Sequence, residues 1–224
     1  MIPRIGMITV GQSPRNDIAP AMSHIIGPRV EIIQKGALDG LSDAEIGALA
    51  PKSAEMRLCT RLTDGRQVVV VKEKILSLMQ TQIDALNQAS VDLIVFLCTG
   101  HFPRFESRCL IVEAQKIVDH CLEALVDERC TLGVVVPLAE QMTQAQQSLS
   151  HMTPKIHVVS ASPYGPLETV QHAAAELFRK QVDLVVLHCM GFSGDHRQVV
   201  REVTKKPVLV ANSIVARTLA ELVE

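Results

Sequence analysis

The chain writes nearly the same ten-residue phrase twice, VDLIVFLCTG at residues 91–100 and VDLVVLHCMG at residues 182–191. Each copy is an apolar, branched run that ends in a cysteine and then, one residue on, a glycine. Such a run is the pattern of a strand covered on both faces, as in a parallel sheet. Written twice, it predicts two similar α/β lobes, each with a central strand ending in Cys-X-Gly. Ligands of open α/β sheets bind beyond the carboxyl ends of the strands, which is where Cys98 and Cys189 fall. A cysteine buried at a strand end is ordinary by itself. The pair, each followed by a glycine that lets a ligand approach the backbone closely, marks a site.

The rest of the chain keeps this rhythm. Strands are expected at 4–10, 30–33, 92–97, 131–136, 155–159, 183–188 and 207–211, with helices at 72–89, 106–126, 138–151, 167–180, 196–203 and 213–223. That alternation is the signature of stacked βαβ units with parallel sheets flanked by helices. Residues 56–71 read instead as a β-hairpin joined across Asp64-Gly65. Residues 36–52 read as a glycine-rich loop with one short helix, opened by a Ser42/Glu45 capping box.

Composition excludes several functions. Apolar residues make up 47% and charged residues 21%, the balance of a globular protein. A net charge of −2 and 3% aromatics leave neither a basic footprint nor stacking platforms for nucleic acid. No apolar run reaches the ~18 residues that cross a bilayer. The opening, MIPRIGMITVGQSP, reads as a first strand rather than a signal peptide, so a cytoplasmic location is expected. Thiols stay reduced there. The six cysteines (59, 98, 109, 121, 130 and 189) contain no CxxC pair, so no metal site is expected. At least four of them are expected to be small buried hydrophobes.

Around the paired cysteines the loops suggest binding roles. In Gly11-Gln12-Ser13-Pro14-Arg15-Asn16-Asp17, Gly11 allows a tight turn, Ser13 can cap the following helix and Pro14 suits its first position. Arg15 fits poorly at a helix N-terminus, which disfavours cations. Its planar fork suits a bidentate grip on a carboxylate, the alternative being a solvated arginine. Gly11, Gln12, Ser13, Arg15 and Asn16 are therefore candidates for binding a small carboxylate. The loop lacks GxxxxGK[ST] and GxGxxG patterns, which argues against nucleotide phosphate. Thr99, Gly100 and His101 follow the first cysteine, and Met190 and Gly191 the second. His101 can tune a thiolate or merely satisfy a turn. His188 precedes Cys189, and adjacent strand residues point to opposite faces. Asn212-Ser213 follows the final strand and can cap the last helix.

Two thiols on opposite sides of one molecule suit proton removal from one face of a carbon and delivery to the other. An ordinary thiol has a pKa of about 8.5, so the site must depress one and leave the other protonated. A positioned acid or base contributes ~10²–10⁴ in rate, and stabilisation of the carbanion must supply the rest.

VDLIVFLCTGHF and VDLVVLHCMGF resemble the two cysteine motifs of the cofactor-independent aspartate/glutamate racemase superfamily, and IGMITVGQSPRNDIAP is similar to its carboxylate-binding loop. TVGQSPRND, GALDGLS, TRLTDG and CMGF together resemble the AroM family over nearly the whole chain. The resemblance implies an Asp/Glu racemase-like fold with the ligand cleft between the lobes. It returns the C-terminal segment to the first lobe, giving 1–103 with 207–224, carrying the hairpin insertion near 56–71, and 104–206. It also implies an often dimeric protein acting on a small carboxylate through Cys98 and Cys189, with the Asn212-Ser213 turn on the cleft floor. There are departures. One residue fewer separates Cys98 from His101 than in the racemase pattern. Met190 replaces a threonine, and no acidic residue follows the second cysteine. Three readings stay open: a two-thiol racemase or isomerase, a one-thiol decarboxylase-type lyase, and a non-catalytic carboxylate-binding protein.

Overall fold

The computed structural model of the protein describes residues 2–52 and 55–224. The chain divides into two compact units, one running to Ala114 and including Leu219–Glu224, the other Gln115–Thr218.

The first unit contains β1 (Arg4–Thr9), α1 (Ala19–Ile26), β2 (Glu31–Gly36), α2 (Asp43–Ala48), a hairpin of β3 (Arg57–Arg61) and β4 (Gln67–Val71), α3 (Lys72–Gln88), β5 (Leu93–Phe96) and β6 (Leu110–Glu113). Its main sheet is parallel, in the order β2-β1-β5-β6. Every residue of β5 is buried, as a strand covered on both faces requires. The α3 helix buries Ile75, Met79, Ile83 and Leu86, one stripe at helical spacing. These join Ile8, Ile94 and Phe96 of the sheet and Leu58 of the hairpin in a single core.

The second unit takes in nearly all of α4 (Ala114–Leu125), then β7 (Leu132–Val136), a 3₁₀ turn, α5 (Met142–Leu149), β8 (Ile156–Ser160), α6 (Leu167–Arg179), β9 (Leu184–Leu187), α7 (Gly194–Thr204), β10 (Val208–Val210) and α8 (Ala211–Val223), whose last turn belongs to the first unit. Its parallel sheet runs β10-β9-β7-β8. Number the main strands of each unit in chain order, leaving the hairpin aside, and both sheets read 2-1-3-4. The repeated phrase is the third strand of each.

The expected division needs moving at both boundaries. Residues 104–114 belong with the first unit because β6 pairs with β5, and most of the C-terminal segment stays with the second because β10 pairs with β9. The helix expected over 106–126 begins only at Ala114. Leu110–Glu113 has no breaker to separate it from the helical pattern, yet its Ile111 and Val112 pair with Ile94 and Val95. Tertiary pairing decides a short run that periodicity leaves ambiguous. The hairpin and the Ser42/Glu45 capping box form as expected. None of the six cysteines forms a disulfide; Cys189 is buried, and the other five are half-buried rather than sealed.

Candidate active site

The chain leaves the sheet in the same way after both copies of the phrase. Beyond β5, Leu97 makes one further ladder bond, its N–H to Ile8 of the neighbouring first strand at 2.7 Å, and Cys98 follows. Beyond β9, His188 bonds Val135 of its first strand at 2.9 Å, and Cys189 follows. Each cysteine thus stands where the strand order reverses, the point at which ligands of such sheets bind. The two environments differ. Cys98 is half-buried beside Leu58 and Phe102, whereas Cys189 keeps 9% of its surface and packs with α6 and α7 residues in the second unit's core.

In the first unit, the loop after β1 is bound by the chain's own groups. Ser13 donates its N–H at 2.7 Å and its hydroxyl at 2.6 Å to the Asp39 carboxylate, which also accepts Gly36 N–H at 2.7 Å. Gln12 N–H donates to the Arg61 carbonyl at 3.2 Å, and its side-chain oxygen accepts from Thr63 N–H and hydroxyl at 3.0 and 3.1 Å. The hairpin backbone passes so close that a Cβ on Gly11 would overlap the Arg61 carbonyl oxygen and stand 2.5 Å from Thr60 Oγ1. TVGQSPRND, GALDGLS and TRLTDG are therefore parts of one interlocked device.

Arg15 is buried, with 3% of its surface exposed. It grips Asp17 in bidentate fashion at 2.8 and 2.7 Å and donates to Thr9 Oγ1 at 2.9 Å. Its burial and charge thus have an internal explanation, and the ligand inferred from its position is not needed to account for it. Asp17 also lies 3.8 Å from Arg61 Nη1. Ser13 and Pro14 do not start the helix: α1 begins at Ala19, with Pro20 in its first turn. The Asp39 carboxylate draws Ser13 away from a capping role.

In the second unit the turn after β9 is held from three sides. The Asn212 amide, 5% exposed, donates to the Met190 carbonyl at 2.9 Å and the Phe192 carbonyl at 2.6 Å. It lies inside α8 rather than capping it, because the turn takes its side chain. Phe192 packs edge-on against His196 with ring centroids 5.4 Å apart. Burial holds the His196 pKa below its ordinary value, against the opposing pull of Asp195. The Tyr164 ring covers Gly191. His188 turns away towards α4, 3.3 Å from Gln115 and 3.8 Å from Asp119, as strand alternation requires.

Asn212→Ala is expected to cost about 1–3 kcal/mol, because two carbonyls in a buried turn lose their donor. It should also speed alkylation of Cys189. Thermal unfolding and site-resolved mass spectrometry check the two effects, and unchanged values in both would deny Asn212 this role.

Of the remaining expected site residues, Thr99 and Gly100 lie half-buried after Cys98, His101 and Asn16 are exposed, and Met190 is buried to 1%. Ser213 donates to the Asn212 side-chain oxygen at 3.3 Å. Asp17, Asp39, Arg61, Thr63 and Tyr164 lie at these strand ends without having been singled out. Each comes into place through a fold contact, with only Asp17 close enough in sequence to signal its partner. Among the described residues no His/Cys/Asp/Glu group is arranged to hold a metal, and no helix is long and apolar enough to cross a membrane.

Two parallel sheets of matching strand order, each flanked by helices, give this chain an α/β fold of the Asp/Glu racemase-like kind. Solved structures share that fold at low sequence identity. Picrophilus torridus aspartate racemase is 12% identical with a TM-score of 0.62, the match covering 99% of this chain and 94% of that one. The maleate isomerase Iso from Pseudomonas putida S16 is 16% identical with a TM-score of 0.59, covering 99% and 92%. Arylmalonate decarboxylase is 13% identical with a TM-score of 0.57, covering 97% and 92%. No curated protein matches the sequence. The family model described as AroM protein matches residues 5–223, and the chain belongs to the AroM family.

Proposed function

We propose that this chain is a cofactor-independent racemase- or isomerase-like enzyme that moves a proton at the carbon next to a small carboxylate, with Cys98 and Cys189 as its acid–base pair. The observation that carries this reading is the equivalence of the two thiols, each two residues beyond the third strand of a 2-1-3-4 sheet. The named activities of proteins sharing the fold support it: a racemase, an isomerase and a decarboxylase. One thiolate takes the proton, the carbanion is held as an enolate, and the other thiol returns a proton. With the Gly11–Arg15 donors engaged by Asp39, Arg61 and Asp17, carboxylate anchoring passes to the backbone of the turns at Thr99-Gly100 and Met190-Gly191.

Deuterium uptake from heavy water into a panel of small α-substituted mono- and dicarboxylates, followed by proton NMR, tests the reading. Cys98→Ser and Cys189→Ser are each expected to slow exchange by ~10²–10⁴. Undiminished exchange in both variants removes the thiols from the chemistry.

The unequal burial of the cysteines favours one second reading. In a one-thiol lyase the substrate loses CO₂ and a single thiol protonates the resulting carbanion. The same two variants separate the cases, since only one would then be inactive.

A further inference from the structure

Gly191 has no room for a side chain. A Cβ there would stand 2.6 Å from the Tyr164 hydroxyl oxygen and 2.8 Å from two of its ring carbons. The hydroxyl end of the chain's single tyrosine thus lies on the turn that opens at Cys189.

Getting there takes a long reach. Tyr164 follows β8, the edge strand, while Gly191 follows β9, and β7 runs between them. Strands lie about 4.8 Å apart, so the crossing is roughly 10 Å. A tight turn starts it: Tyr164 N–H donates to Ser162 Oγ at 3.1 Å, and Gly165 N–H to the Ser162 carbonyl at 3.4 Å. The phenol is laid across the carboxyl end of β7, beside the point where a ligand of this sheet binds. The ring is half-buried.

We propose that Tyr164 is a ligand-contacting residue of the second unit, its phenol donating a hydrogen bond to a carboxylate or enolate oxygen of the molecule whose reacting carbon lies at Cys189. This rests on the functional reading only in taking Cys189 as a reacting thiol. A phenol hydroxyl can meet developing negative charge as a hydrogen-bond donor. It stands where the second cysteine lacks an acidic neighbour in sequence.

The test compares two alkylating probes of similar size, anionic iodoacetate and neutral iodoacetamide, on the Cys98→Ser protein. In each case the Cys189 thiolate forms an S–C bond as iodide leaves, and mass spectrometry reads the rate at that residue. Hydrogen bonds to charged acceptors are the stronger. Tyr164→Phe, which keeps the ring, is therefore expected to slow iodoacetate about fivefold or more and leave iodoacetamide within about twofold. Equal slowing of both probes would mean that the ring only orders the turn. That result overturns the proposal, as does no change with either probe, or a Cys189 that neither probe modifies. Neither rate depends on turnover, so loss of the proton-transfer reading through the deuterium assay is a separate result.

Discussion

Replacing Asp17 with alanine is expected to remove about 3–5 kcal/mol of folding stability, the usual consequence of taking one partner from a buried ion pair. Arg15, its side chain 4% exposed, would lose both carboxylate contacts and keep its charge. Urea unfolding of the two proteins at neutral pH measures the difference, and a loss below about 1 kcal/mol would place the pair in the weak surface class. The effect also has a pH signature. Burial pushes the Asp17 carboxyl up, but Arg15 through hydrogen bonds and charge, its own backbone N–H and Arg61 together outweigh this and hold it below 3.8. A depressed folded-state value stabilises fully above the unfolded pKa and is lost as pH falls through the folded one. The gap between native and variant should therefore be constant near neutrality and narrow below about pH 4. Adding Arg15→Met to Asp17→Ala should recover part of the loss, since the buried guanidinium is removed together with its carboxylate.

Gly11→Ala is expected to cost about 3 kcal/mol or more, at or beyond the upper end of overpacking effects. The atom its methyl would overlap is a backbone carbonyl oxygen of β3, which cannot swing aside like the end of a side chain. The hairpin must lift, and the Gln12 and Thr63 hydrogen bonds go with it. Amide exchange would show this as protection lost jointly at the hairpin and the β1 loop, with the second unit's sheet unaffected. A variant as stable as the parent, with its hairpin amides still protected, would refute the clamp.

Much of the architecture was legible because parallel strands buried on both faces announce themselves as apolar runs, and the two longest such phrases are near copies. The hairpin was legible through Asp64-Gly65, and the short helix through Ser42 and Glu45. Leu110–Glu113 was not, because four residues carry too little period to separate a strand from the helix that follows. At the strand ends, the positions of both cysteines and of the turns after them could be read. What could not be read were the partners. Arg15 looked like a cation awaiting an anion because its burial against Asp17 is a property of the folded loop. Asp39 and Thr63 reach Ser13 and Gln12 only through the return of β2 and the hairpin. Tyr164 belongs to a turn with no pattern in common with residue 191.

Asp39 also determines how the β1 loop meets the dissolved acids around it. A carboxylate tethered by the chain has an effective concentration on the order of millimolar or above towards donors within its reach. An unattached acid at micromolar abundance does not displace it by mass action. The amides of Ser13 and Gly36 are, in effect, already saturated, and the loop keeps its shape without help from any guest. On the function proposed above, discrimination among small acids would fall to surfaces that no internal carboxylate occupies.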